Sequence, residues 1–222
     1  MRSLQVAPSI LAANFASLGD SIALIEHEAD ALHVDVMDGH FVPNLSLGPP
    51  VVAAIKSCTG LPLDCHLMMT NPGDYLEAFK TAGADSCTVH VEIGGTSELI
   101  SRARALGLGI GLALNPDAKY DAVAPWLDRI DLLLCMTVFP GFGGQSFIGE
   151  VMETVAAARA EIDRRGLETI IQVDGGIDIT TVPAAALAGA TNFVAGTAVF
   201  GATDPAAAAA AIRQAAVDAI AA

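Results

Sequence analysis

Eight short apolar runs are spaced along the whole chain, and segments with helical character separate most of them. Each run is four to six residues long, which is typical of a strand. Near-continuous apolar strands that alternate with helices indicate a parallel sheet covered by helices. The predicted strands are residues 4–9, 31–36, 63–67, 86–89, 109–114, 131–136, 169–173 and 192–195.

Glycine marks the end of several predicted helices, because it adopts positive φ without a Cβ penalty. Gly83, Gly107, Gly166 and Gly189 each stand a few residues before an apolar run. Two Xaa-Pro pairs, Asn71-Pro72 and Asp204-Pro205, have the composition of a helix start. Helices are predicted at residues 15–28, 49–57, 73–82, 96–106, 149–165, 180–188 and 205–221, with a weaker candidate at 119–127.

Eight β/α units in 222 residues predict a compact α/β fold, the (β/α)8 or TIM barrel, formed by residues 1–222 as a single domain. The rival fold is a doubly wound open sheet, which concentrates its signature in the first βα turn. No Gly-x-Gly-x-x-Gly follows the first strand, and chemically active residues are spread over many strand ends. The barrel is therefore favoured.

Net charge restricts the possible partners. The chain has a net charge of −14, whereas nucleic acids and anionic membranes attract basic surfaces, so neither partner is predicted. A phosphorylated small molecule remains possible, since backbone N–H groups can bind phosphate without Lys or Arg. A homo-oligomeric assembly is expected.

Cysteine spacing and the N-terminal sequence suggest a cytoplasmic location. Cys58, Cys65, Cys87 and Cys135 are far apart and form no CxxC pair, so they fit core positions in a reducing compartment. The first residues contain no long apolar stretch of the kind found in signal peptides, and no 18-residue apolar span occurs.

Polar residues stand near the carboxyl ends of several predicted strands. His33 and Asp35 are two residues apart in a strand and therefore point to the same side. His66 and Asp174 end two later strands. A lone Asp at such a position is more often a helix N-cap, and a lone His is more often a hydrogen-bonded core residue. Four such residues at the active-site end of one barrel weaken that alternative.

Two imidazoles and two carboxylates are a suitable ligand set for one divalent metal per chain, such as Zn²⁺, Mn²⁺, Fe²⁺ or Co²⁺. Asp35 and Asp174 could also act as acid and base on opposite faces of a substrate carbon. A metal beside them would polarise a carbonyl and stabilise an enediolate.

A glycine-rich segment follows the sixth strand. Residues 140–145 read PGFGGQ and are predicted to expose backbone N–H groups at the start of the helix near residue 149, as in a phosphate site. The alternative is an ordinary flexible turn. Gly175, Gly176, Gly196 and Thr197 follow the last two strands, where barrel enzymes often bind phosphate.

Three methionines and two histidines receive weaker interpretations. Met37, Met68 and Met136 lie near strand ends and are interpreted as core packing, the alternative being an apolar lid. His40 and His90 carry no spacing argument and are left unassigned.

Six segments resemble the motifs of the ribulose-phosphate 3-epimerase family, and together they extend from residue 7 to residue 200. The two longest are HVDVMDGHFVPN (residues 33–44) and MTVFPGFGGQSF (residues 136–147). The shorter ones are APSIL (7–11), DCHLM (64–68), VDGGI (173–177) and AGTAVF (195–200).

The resemblance implies a (β/α)8 barrel that interconverts D-ribulose 5-phosphate and D-xylulose 5-phosphate. It also implies a divalent metal held by His33, Asp35, His66 and Asp174, with Asp35 and Asp174 as proton acceptor and donor. Ser9 and His66 match substrate-contacting positions. The matching phosphate-loop residues are Gly141, Phe142, Gly143, Gly144, Gly175, Gly176, Gly196 and Thr197.

The chain departs from the family pattern at three positions. Phe139 replaces a residue that is usually polar, Asn14 replaces a frequent Asp, and Thr197 replaces a common Ser. None is a predicted metal ligand or catalytic Asp, so these departures concern substrate preference and not the type of reaction. The alternatives are a C3 epimerase of a hexulose phosphate such as D-allulose 6-phosphate, and a non-catalytic barrel that senses a sugar phosphate. A sensor would not need both carboxylates.

Overall fold

The computed structural model describes residues 3–222 and contains eight parallel strands in one sheet. The order around the sheet is β1-β8-β7-β6-β5-β4-β3-β2, and a parallel bridge between Ser9 and His33 joins its two edges. This nearly closed ring confirms the predicted barrel and excludes the doubly wound open sheet. The strands are β1 Gln5–Pro8, β2 Leu32–Met37, β3 Leu63–Met68, β4 Ser86–His90, β5 Gly109–Leu114, β6 Leu132–Met136, β7 Ile170–Asp174 and β8 Asn192–Ala195.

Eight α-helices accompany the strands. They are α1 Leu18–Ala23, α2 Pro49–Lys56, α3 Leu76–Ala82, α4 Thr96–Ala105, α5 Val151–Arg165, α6 Val182–Ala188, α7 Thr197–Phe200 and α8 Pro205–Ala221. The Asp204 side chain caps α8 by accepting the Ala207 N–H at 3.0 Å, as the Asp-Pro pair predicts. Every helix within residues 3–222 is too short or too polar to span a lipid bilayer.

Two helix predictions differ from the structure, and one short helix was not predicted. The weak candidate at 119–127 is wrong: that segment forms two 3-10 turns, Tyr120–Ala122 and Ala124–Trp126, where Pro125 lacks the N–H needed inside an α-helix. The helix predicted at 15–28 is limited to α1, after a 3-10 turn at Phe15–Ser17. The short helix α7 was not predicted, because four residues are too few for a periodic pattern.

Alternate strand residues face two different environments. In β2 and β3, side chains such as Val34 and Leu67 pack with buried helix residues such as Ile55 in the main core between barrel and helices. The intervening residues point into the barrel, where several are polar and buried. Register places His33 beside Asp64 and Asp35 beside His66. Alternation and register therefore bring the polar pairs of these two strands together.

Candidate active site and metal centre

The four predicted metal ligands converge at the carboxyl end of the barrel. One ligand atom from each of His33, Asp35, His66 and Asp174 lies within 4.8 Å of every other. His33 Nε2 is 3.4 Å from Asp35 Oδ1 and 3.8 Å from Asp174 Oδ2. His66 Nδ1 is 3.3 Å and 3.9 Å from the same two carboxylates. The fold thus assembles the predicted donor set from β2, β3 and β7.

The Nδ1 side of the His33 ring, which points away from the cluster, contacts a carboxylate inside the barrel. Its Nδ1 is 3.2 Å from Asp64 Oδ2, which also accepts a hydrogen bond from Gln172 at 3.0 Å. Ser86 donates to the other Asp64 oxygen at 2.9 Å. A proton on Nδ1 leaves Nε2 facing the cluster, where it is buried without a hydrogen-bond partner. A buried imidazole nitrogen that lacks a partner and faces two carboxylates fits a metal ligand.

The surrounding charges keep Asp35 ionised. Burial raises the pKa of this carboxyl, but the positive charge of the nearby His33 and the contact with His66 outweigh burial and hold the pKa far below its ordinary value. Ser9 Oγ donates to Asp35 Oδ2 at 2.5 Å. Burial lowers the pKa of the His33 imidazole, but the carboxylates of Asp35 and Asp64 outweigh burial and raise this pKa well above its ordinary value.

The pKa of the Asp174 carboxyl is shifted in the opposite direction, upward. Burial, followed by repulsion from the Asp35 charge, raises the pKa of the Asp174 carboxyl to about 7. In the metal-free protein the two carboxyl groups thus differ in protonation near neutral pH. This is the combination that a two-base proton transfer requires.

The raised pKa of Asp174 predicts a pH-dependent stability in chelator-treated protein. Between the ordinary carboxyl value of 3.8 and about 7, the native state keeps a proton that the unfolded chain has lost. The free energy of unfolding should therefore fall as pH rises through this range, by on the order of 1 kcal/mol per pH unit. In urea unfolding, Asp174→Asn should remove this component. Equal pH slopes in the variant and the wild type would contradict it.

A cavity of about 480 Å³ opens above the cluster at the carboxyl end of the strands. Asp35, Asp174 and Ser9 line it, whereas His33 and His66 are fully buried and do not. The role of His66 as a substrate contact therefore stays a prediction. The cavity is also lined by Met37, Met68 and Met136, which are buried as the core-packing interpretation expects.

All three glycine-rich segments line the same cavity, in which no Lys or Arg occurs among the described lining residues. The N–H groups of Gly143, Gly144 and Gly176 donate to no acceptor within residues 3–222. Residues 140–145 precede α5, which begins at Val151, two residues after the predicted start. Gln145 shapes the loop by donating to the carbonyl oxygens of Phe139 and Phe142.

The three departures from the family pattern have different surroundings. Asn14 caps the turn Phe15–Ser17 by accepting the Ala16 N–H at 3.1 Å, a role that Asp would also fill. Phe139 is half exposed and is not among the cavity residues. Thr197 lines the cavity. Of the three positions, Thr197 therefore has the most direct access to a ligand there.

Sequence reasoning missed Asp64, His90 and Gln172, although part of the signal was present. Asp64 stands two residues before His66 and therefore shares its side of β3, the same spacing that singled out His33 and Asp35. His90 ends β4 as an imidazole at a strand end. Gln172 meets Asp64 across 108 residues of sequence, and no local pattern indicates that contact.

A nearly closed (β/α)8 barrel, a buried His/Asp cluster and a cavity at the carboxyl ends of its strands define a TIM-barrel enzyme site suited to acid–base chemistry. The model of the ribulose-phosphate 3 epimerase family matches residues 5–200. The chain belongs to this family.

Curated relatives match nearly the whole chain. The ribulose-phosphate 3-epimerase of Mycobacterium tuberculosis is 47% identical over 210 residues, which cover 94% of this chain and 91% of that protein. The Bacillus subtilis protein of the same name is 44% identical over 207 residues, or 90% and 94% of the two chains. The solved structure of KGPDC from Streptococcus mutans has a TM-score of 0.73 at 17% identity, covering 98% and 99%. That likeness supports the barrel fold alone.

Proposed function

We propose that this protein interconverts D-ribulose 5-phosphate and D-xylulose 5-phosphate by moving the proton at C3. The observation that supports this reaction best is the pair of carboxyl groups at the cavity floor, Asp35 and Asp174, which come from β2 and β7 and line the same cavity. Relatives named ribulose-phosphate 3-epimerase, at 44% and 47% identity, support the choice of substrate.

The two carboxyl groups would act in sequence. Ionised Asp35 accepts the C3 proton on one face of the sugar, which converts the ketose to an enediolate. Protonated Asp174 then donates its proton to C3 on the other face, and the inverted product forms. In the reverse direction the two groups exchange roles. The hydroxyl of Ser9 orients the Asp35 carboxylate for this transfer.

His33, Asp35, His66 and Asp174 would hold one divalent metal. The unpartnered Nε2 of His33 and the 4.8 Å clustering of the donor atoms fit such an ion. Two imidazoles and two carboxylates suit Zn²⁺, Mn²⁺, Fe²⁺ or Co²⁺. When bound, the metal would supply positive charge that stabilises a developing enediolate.

The phosphate group would lie against the glycine-rich loops and accept hydrogen bonds from backbone N–H groups. The lining of the cavity contains no Lys or Arg among the described residues, while the N–H groups of Gly143, Gly144 and Gly176 have no acceptor in the described chain. Backbone amides bind anions without cationic side chains. Phe142, Gly196 and Thr197 complete this proposed surface.

Gly143→Val should raise KM because the added side chain occupies the space needed for close approach of the phosphate. A Cβ at this position meets no protein atom within 4 Å, so the substitution should leave the fold intact. At Gly176, by contrast, φ is +63° and a Cβ would lie 2.6 Å from the Phe147 nitrogen, so a change there would strain the backbone. We also expect Gly196→Val to raise KM, although its Cβ would approach Ala12 at 3.3 Å. Normal KM values in both variants would place the phosphate elsewhere.

Turnover of two ketose phosphates tests the proposed reaction. Purified protein should convert D-ribulose 5-phosphate with a higher kcat/KM than D-allulose 6-phosphate. A preference for the hexulose phosphate would assign the protein to the alternative epimerase class. Binding of both sugars without turnover would support the sensor. A cytoplasmic location and a homo-oligomeric assembly remain predictions.

A further inference from the structure

His90, which the sequence left unassigned, lies directly against a proposed metal ligand. It ends β4 and is almost fully buried, with its Nε2 2.9 Å from His66 Nε2. The two rings are stacked with centroids 5.0 Å apart. Phe41 packs against the His90 ring at 4.5 Å between centroids. The position of the ring is therefore set by packing as well as by hydrogen bonding.

His66 Nδ1 lies 3.3 Å from Asp35 Oδ1, so this nitrogen can either donate to the carboxylate or give its lone pair to a metal. A metal bound at Nδ1 would leave the His66 proton on Nε2. A close contact between two ring nitrogens requires one N–H and one lone pair. His90 Nδ1 is 3.3 Å from Glu92 Oε2, and a carboxylate can only accept, so Glu92 favours a His90 proton on Nδ1. The lone pair of His90 Nε2 then accepts the Nε2–H of His66. Glu92 is itself fixed, because its other oxygen accepts the Asn115 N–H at 2.7 Å.

In that arrangement the lone pair of His66 is on Nδ1, the nitrogen that faces Asp35 and Asp174. We propose that His90 and Glu92 form a positioning pair that stabilises the Nε2–H form, which His66 must adopt when Nδ1 binds the metal. The inference rests on the proposed metal site. It gives His66 a support distinct from that of His33, which donates Nδ1–H to Asp64 and presents Nε2 instead.

The proton positions provide a test that does not use activity. In Zn²⁺-loaded protein labelled with nitrogen-15, the histidine side-chain spectrum under mildly alkaline conditions should show His66 protonated on Nε2 and His90 protonated on Nδ1. His90→Phe keeps a ring between Phe41 and His66 but removes the acceptor of the His66 Nε2–H. A wild-type His90 protonated on Nε2 could not accept from His66 and would overturn the proposal.

Metal affinity provides the second readout, measured by competition with a coloured chelator for Zn²⁺. Removing an outer partner of a metal-bound histidine typically weakens binding by about 10- to 100-fold, and we expect a loss in this range for His90→Phe. His90→Gln, whose amide oxygen can accept from His66 Nε2–H, should have a Zn²⁺ affinity between those of His90→Phe and the wild type. Glu92→Gln should give a smaller loss, since its amide oxygen can still accept from His90. His27→Phe, at an exposed position outside the cavity, is the matched control and should bind as the wild type does.

The two readouts separate this proposal from the proposed function. If wild-type protein binds metal and His90→Phe binds it equally well, His90 and Glu92 act only in packing and the positioning role is overturned. If the wild type binds no metal, the proposed metal centre is overturned, and with it the ligand role of Nδ1. Thermal unfolding of each chelator-treated variant shows whether a loss of affinity is a loss of fold. Unfolding that accounts for the whole loss would also overturn the positioning role.

Discussion

Asp174→Asn is expected to lower kcat by at least about 10²-fold in both directions of the epimerisation, the low end for removing a positioned acid or base. The amide cannot supply the proton that the Asp174 carboxyl, with a pKa near 7, supplies to C3. Asp35→Asn should have an effect of the same size, because each group serves as base in one direction and as acid in the other. Steady-state rates from both sugars measure the effect.

Isotope exchange separates the two-base route from its alternatives. During wild-type turnover in deuterated water, solvent deuterium should enter C3 of the product. Retention of the original hydrogen would indicate a single base that returns the same proton, or a hydride transfer.

The control for the two Asp→Asn variants is Asp20→Asn, which changes an exposed carboxyl on α1 and should keep wild-type rates. A folded Asp174→Asn protein with the wild-type kcat would refute the assignment and leave Asp174 as a ligand only.

His33→Ala and His66→Ala are each expected to lose the metal. Each variant removes one of two nitrogen donors from a four-donor cluster, so the loss of affinity should exceed the roughly 10- to 100-fold typical of an outer partner. Elemental analysis of purified protein measures occupancy, and activity should fall with it. Full occupancy and full activity in both variants would remove the proposed metal site.

Because His33 and His66 are buried, their replacement needs a control that separates loss of metal from loss of stability. His33→Ala also leaves the Asp64 carboxylate without its imidazole partner inside the barrel, so some stability should be lost. Thermal unfolding distinguishes this loss from the loss of metal. His27→Ala, at an exposed histidine, should retain both metal and stability.

The barrel architecture and the four residues of the His/Asp cluster were predictable from local patterns in the sequence. Alternating strands and helices, with glycine at helix ends, depend on local backbone preferences and on hydrophobic burial, which are readable over ten or so residues. The i, i+2 spacing of His33 and Asp35 predicted a shared direction, because strand geometry requires it. Placing His66 and Asp174 with them required only that parallel strands end at one face. The helix predicted at 119–127 failed where Pro125 interrupts the pattern.

The contacts and pKa values of these residues depend on the three-dimensional fold and were not predictable from the sequence. The contact between Gln172 and Asp64 joins strands far apart in sequence, and it fixes which nitrogen His33 presents. The role of His90 depends on the distance between two rings on neighbouring strands. The pKa of Asp174 near 7 arises from burial and from the charge of Asp35. Desolvation, Coulomb repulsion and hydrogen-bond direction depend on distances through space, and a linear pattern of residue types does not contain those distances.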